Sequence, residues 1–151
     1  MEFTRTTGEQ RRLEFLANEV VLHVPGAATG GTYCLAEFEG PRGDMPPLHV
    51  HRSVEEAFYV LDGVLSLFVG DESAELAAGD SLVAPRGTPH TYRVESDRAR
   101  WLVVCSPAGF DDFVREVASA GERIEPPALA EKAARYGIEV LGPPGALPAG
   151  C

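Results

Sequence analysis

The sequence predicts an all-β fold followed by C-terminal helices, and three observations carry that prediction. From Arg12 to about Cys105 short extended runs alternate with turn clusters, no long 3.6-residue period interrupts them, and only after Ser106-Pro107 does the pattern turn helical. Turns at such regular spacing favour a sandwich or barrel over a parallel sheet with helices between its strands.

Strands are predicted at Leu13–Leu16, Val20–Val24, Thr32–Glu39, Leu48–His51, Ala57–Leu61, Val64–Val69, Ser73–Leu76, Ser81–Ala84, His90–Val94 and Arg100–Cys105. Branched and aromatic residues fill these runs, and Thr29-Gly30-Gly31, Gly40-Pro41, Gly70-Asp71, Gly79-Asp80 and Pro85-Arg86-Gly87 separate them. Asp62-Gly63 reads as a hairpin turn. Beyond Pro107, Phe110, Phe113, Val114 and Val117 recur at three and four residues, one face of a helix, with Asp111 and Asp112 in its first turn where the dipole favours them. A second helix is predicted from Pro127 through Tyr136, stopped by Gly137. Both are expected to pack across or beside a barrel mouth.

The 151 residues suit one domain with a single core: a barrel over about 8–106, a helical segment over about 107–137, and a Gly- and Pro-rich tail, 142–151, expected to be poorly ordered. A net charge of −10 with 13 basic residues and no basic run opposes a nucleic-acid or anionic-membrane partner. No apolar run reaches membrane-spanning length and the first residues lack a signal core, so a cytoplasmic location is expected. Cys34, Cys105 and Cys151 are odd in number and widely spaced, which opposes a disulfide framework or zinc knuckle. Cys34, Cys105 and Trp101 read as core, and His23 as a strand histidine.

Three of the four histidines fall in one pattern, Gly43-x5-His49-x-His51-x4-Glu56-x6-Gly63 followed by Gly79-x5-Pro85-x-Gly87-x2-His90. His49 and His51, two apart on an extended chain, point to one face and can offer both imidazoles to one ion. Glu56, Phe58 and Val60 share a face, and a carboxylate among apolar neighbours is costly to bury unless it is paired or metal-bound. Glu55 points the other way. His90 follows a tight turn and opens the next strand. Three imidazoles and a carboxylate make a ligand set for a divalent transition metal with positions left open.

These two blocks resemble the two motifs of the cupin superfamily at every position except the last, where Val94 stands in place of the family's Asn. The resemblance implies a small double-sheet β-barrel, a jelly roll, with His49, His51, Glu56 and His90 as metal ligands. Thr29-Gly30-Gly31, Pro47 to His51, Glu56 to Gly63 and Ser106 to Phe110 are similar to the quercetin 2,3-dioxygenase-like single-domain cupins, a likeness covering most of residues 8–140. It implies one divalent ion per chain (iron, nickel, manganese, copper or zinc), dioxygen as co-substrate, and a small aromatic, flavonol-like or polyketide-like substrate. Glu56 would be ligand and catalytic proton acceptor. A non-oxidative cyclase, isomerase or decarboxylase is the alternative, and a non-catalytic small-molecule binder the third reading. Phe38, Phe58 and Val60, inward by parity, and Tyr92, on the face of His90, are either pocket lining or core. By analogy with small cupins, the chain is expected to form a homodimer through its sheet edges.

Overall fold

The computed structural model describes residues 12–120 and 124–151. Two antiparallel sheets face one another, as in a jelly roll. The strands are β1 (Arg12–Phe15), β2 (Asn18–Val24), β3 (Cys34–Pro41), β4 (Pro47–His51), β5 (Glu55–Asp62), β6 (Leu65–Val69), β7 (Glu72–Leu76), β8 (Ser81–Ala84), β9 (His90–Val94), β10 (Arg98–Ser106) and β11 (Ile138–Pro144). Helices α1 (Phe110–Ser119) and α2 (Pro126–Arg135) lie between β10 and β11. One sheet has the order β1-β2-β3-β10-β5-β8 and the other β11-β4-β9-β6-β7.

Alternation in the sequence becomes alternation of burial. Along β10, Ala99, Trp101, Val103 and Cys105 are buried while Arg98, Arg100 and Val104 face water. Phe38, Phe58, Val60, Leu65, Leu67 and Val94 meet them from both sheets in one core. The α1 face of Phe113, Val114 and Val117 closes over the same core, and Phe113 lies edge-on to Phe15 of β1 at 5.7 Å.

The structure departs from the sequence expectations at three places. Asp62-Gly63 is not a hairpin turn: β5 and β6 belong to different sheets, and this turn carries the chain across. Gly63 has φ +80° and a Cβ there would meet Arg98 O at 2.3 Å, while Val64 N donates to Ser96 Oγ at 2.8 Å. Close packing against the β9–β10 connection, rather than strand pairing, demands the glycine. Residues 142–144, expected in the poorly ordered tail, lie in β11, paired antiparallel with β4. Two prolines are tolerated because β11 is an edge strand with bulges between Val140 and Gly142 and between Gly142 and Pro144. The chain end then lies against the β6–β7 turn, with Cys151 Sγ 3.3 Å from Gly70 O. A short 3-10 helix, Gly26–Thr29, also precedes β3 and runs into the Thr29-Gly30-Gly31 cluster that the sequence read only as a break between strands. The expected barrel start at 8–11 falls outside the described residues.

Candidate metal centre

His49, His51 and His90 come from the five-stranded sheet and Glu56 from the six-stranded one, so the site lies between the sheets. In the β4–β9 ladder His49 is the direct partner of His90, and their ring centroids are 4.5 Å apart. Gly87 N, in the turn before β9, donates to His51 O at 2.8 Å and ties the two motifs together. One ligand atom from each of the four residues lies within 4.8 Å of the others, and His51, Glu56 and His90 are buried.

Hydrogen bonds set the imidazoles for coordination. His49 Nδ1 donates to Pro47 O at 2.7 Å and His90 Nδ1 to Thr88 O at 2.9 Å, which leaves each Nε2 with a lone pair. His51 Nε2 and His90 Nε2 both face Glu56 Oε1, His51 in close contact and His90 at 3.8 Å, and beyond these mutual contacts the three buried atoms have no hydrogen-bond partner. Orphaned buried polar atoms are rare, and three converging on one point fit a divalent ion as their missing partner.

Charge follows the same logic. Its enclosure and the neighbouring imidazoles of His90 and His51 push the His49 pKa down to about 3, so the ring stays neutral. Burial pushes the Glu56 carboxyl up, but His51 and His90 outweigh it and hold it well below the ordinary carboxylate range. Burial lowers the His90 pKa, yet contact with Glu56 leaves it raised. Glu56 is thus ionised and His49 neutral, the forms in which a carboxylate and an imidazole bind a cation.

The four residues stand at the buried head of an apolar cavity that opens to solvent. Of the residues that sequence parity placed on a pocket wall, Phe38, Phe58 and Tyr92 border it. Val60 does not: it is fully buried, and its cross-strand partner Trp101 presents the wall at that level. Tyr92 contributes its ring, because its hydroxyl donates to Asn18 Oδ1 at 3.0 Å and contacts Asp44 Oδ2 at 3.3 Å. Burial and the Asp44 charge raise its pKa well above the ordinary value, so the phenol stays protonated. Sequence reasoning missed Phe15, Phe110, Phe113 and Ile138, which also line the cavity. The apolar period of α1 was visible; the face it covers depends on contacts between distant residues.

At Val94 no side-chain amide is present, and the backbone orders the turn instead. Val94 N donates to Asp44 O at 3.0 Å, and Gly43 N to Val94 O at 2.9 Å. His23 pairs with Glu37 at 3.0 Å on β3, away from the cluster. Cys34 and Cys105 are buried, free and opposite each other in the β3–β10 ladder.

Two facing sheets, a four-residue ligand cluster between them and a cavity at its head define a cupin-type protein with a candidate metal site. The chain belongs to the cupin superfamily: the cupin-domain family profile matches residues 37–105. It is 37% identical over 100 residues to a quercetin 2,3-dioxygenase of Bacillus subtilis, 66% of this chain but 30% of that protein's length. Among solved structures, the polyketide cyclase RemF of Streptomyces resistomycificus is similar with a TM-score of 0.60 and 22% identity, over 70% of this chain and 80% of that one. The nucleoside dehydratase Pac13 of Streptomyces has a TM-score of 0.59 and 15% identity, over 72% and 84%. These structural likenesses concern the fold. No helix among the described residues is long and apolar enough to cross a membrane.

Proposed function

We propose that the chain is a metal-dependent dioxygenase acting on a small flat aromatic, flavonol-like or polyketide-like compound. The observation that carries this reading is the convergence of orphaned His51 Nε2, His90 Nε2 and Glu56 Oε1 at the head of an aromatic-walled cavity. Similarity to a quercetin 2,3-dioxygenase supports the oxidative form. His49, His51, His90 and Glu56 would hold one divalent ion, which when bound supplies a Lewis-acidic centre for a substrate oxygen and, if redox-active, reactivity toward dioxygen.

The chain's own residues have definite tasks. Glu56 enters the reaction ionised, and its carboxylate, at the point where the imidazoles converge, accepts the proton of a substrate hydroxyl. Phe38, Trp101 and Phe110 form one packed aromatic side of the cavity, Phe38 stacking with Trp101 at 5.8 Å and with Phe110 at 6.1 Å, and supply the apolar contact for a planar ligand. The apolar lining keeps water from the reacting end. Neutral His49 and the carbonyl-anchored Nδ1–H groups fix which nitrogen faces the ion.

A redox-silent Lewis-acid enzyme is the second reading, favoured by a donor set that accepts zinc as readily as iron, nickel, manganese or copper. Elemental analysis of untagged protein, beside the His49→Ala/His51→Ala double variant, tests the site. Near one redox-active metal per chain, lost in the variant, together with oxygen uptake on a flavonol, is the expected result. Stoichiometric zinc without oxygen uptake moves the assignment to the second reading. No metal in either sample after reconstitution leaves a non-catalytic binder.

A further inference from the structure

We infer that Leu16 is the rim residue that selects multi-ring aromatic ligands for the cavity, an inference that rests on the aromatic reading of the site proposed above. Leu16 and Ala17 form the two-residue connection between β1 and β2, in which Phe15 pairs with Asn18. Leu16 has φ +56° and is the sole non-glycine residue at positive φ among the described residues. A Cβ is disfavoured in that region, and glycine or asparagine fills such a turn position with less strain. The side chain is also 42% exposed, so it gains little from burial. Two unfavourable terms therefore meet at one leucine. Strain that the surroundings maintain points to a role at a site.

Its position supplies the role. Among the described residues that line the cavity, Leu16 is the only exposed one. It marks the rim, opposite in character to the buried cluster of Glu56, His51 and His90 at the head. Its neighbour Phe15 is edge-on to Phe38 at 6.2 Å and to Phe110 at 6.0 Å, so the turn is anchored to the aromatic wall and cannot swing aside without breaking those contacts. An isobutyl group held there meets whatever part of a ligand extends beyond the inner wall. A single-ring phenol seated at the head leaves the rim empty; a flat ligand of two or three rings reaches it and covers the exposed half of Leu16.

The chain's single tryptophan, Trp101, lines the cavity and reports occupancy by fluorescence quenching. Wild type, Leu16→Gly and Leu16→Asn, each loaded with the ion found by elemental analysis and kept free of oxygen, are titrated with quercetin and with catechol, and their melting temperatures are measured. Both variants are expected to melt at or above the wild-type temperature, to bind quercetin about tenfold more weakly, and to bind catechol as wild type does. Unchanged quercetin affinity in both variants overturns the inference while leaving the proposed function standing. Lower melting temperatures with both ligands weakened alike make Leu16 a hairpin residue only, and also overturn it. A wild-type protein that binds neither compound removes the aromatic reading of the site, and this inference falls with it.

Discussion

Glu56 and Glu55 are chemically identical neighbours with opposite fates, and strand parity is the whole cause. Glu55 is exposed and pairs with Arg86 at 3.3 Å, whereas Glu56 is 4% exposed between His51 and His90. Because Glu56 carries the negative charge of the cluster, Glu56→Gln removes the proton acceptor while keeping size and an oxygen donor. Turnover should fall by about 10²–10⁴-fold with most of the metal retained, read by oxygen uptake beside elemental analysis of the same sample. Full activity with metal bound would place the base elsewhere. Val60 tests the boundary between wall and core: Val60→Ala should lower unfolding free energy by about 1–3 kcal/mol and leave ligand affinity unchanged, since its side chain fills the core cluster and not the cavity wall. At this scale the ligand candidates were readable from spacing, because parity in a strand is a local property. Whether an inward residue meets a cavity or another side chain is not local, which is why Val60 and Phe58 could not be told apart, and why the rim position of Leu16 left no mark in the sequence.

At the scale of elements, strand positions follow from alternating burial and turn residues, and helix α1 from its apolar period. What holds α1 in place was not readable. Asp111, in its first turn, is buried and accepts from Gly26 N at 2.9 Å and Gly109 N at 3.1 Å, with Arg115 at 3.2 Å. The dipole argument explained an acid there but not its partner Gly26, 85 residues away along the chain. Burial pushes the Asp111 carboxyl up, yet the two backbone N–H groups and Arg115 outweigh it and leave the pKa lowered. A carboxyl depressed in the folded state stabilises the fold above its unfolded value and loses that contribution as pH falls through its folded value. Asp111→Ala should therefore cost about 2–3 kcal/mol at neutral pH by stranding buried donors. It should also flatten the acid-side loss of stability below about pH 4, measured by urea unfolding across pH. An unchanged acid limb would show that other carboxylates govern it. The β5–β6 turn and β11 mark the opposite limit: Asp-Gly and Gly-Pro-Pro are locally compatible with a hairpin and a loose tail, and only pairing with distant strands decides otherwise.

At the scale of the whole molecule, local patterning specifies strands but not their order, because β10 pairs with β3 and β5 through contacts dozens of residues apart. The motif nevertheless contained one long-range fact, since residues able to share an ion must meet. Those residues join β4 and β9 of one sheet to β5 of the other, so a bound ion would staple the sheets across the barrel. Without it, Glu56, His51 and His90 remain buried with unpartnered polar atoms, a local weakness that metal removes. An ion binding only the folded chain, at about a hundred times its Kd, adds about 2.7 kcal/mol of stability. For a chain near 150 residues that corresponds to a rise in melting temperature of about 5–10 °C. Chelator-treated protein should melt lower by that amount, regain it on adding the ion found by elemental analysis, and show no gain as the His49→Ala/His51→Ala variant. An equal gain in the variant would put the stabilising ion somewhere other than between the sheets, and the cluster would then owe its burial to packing alone.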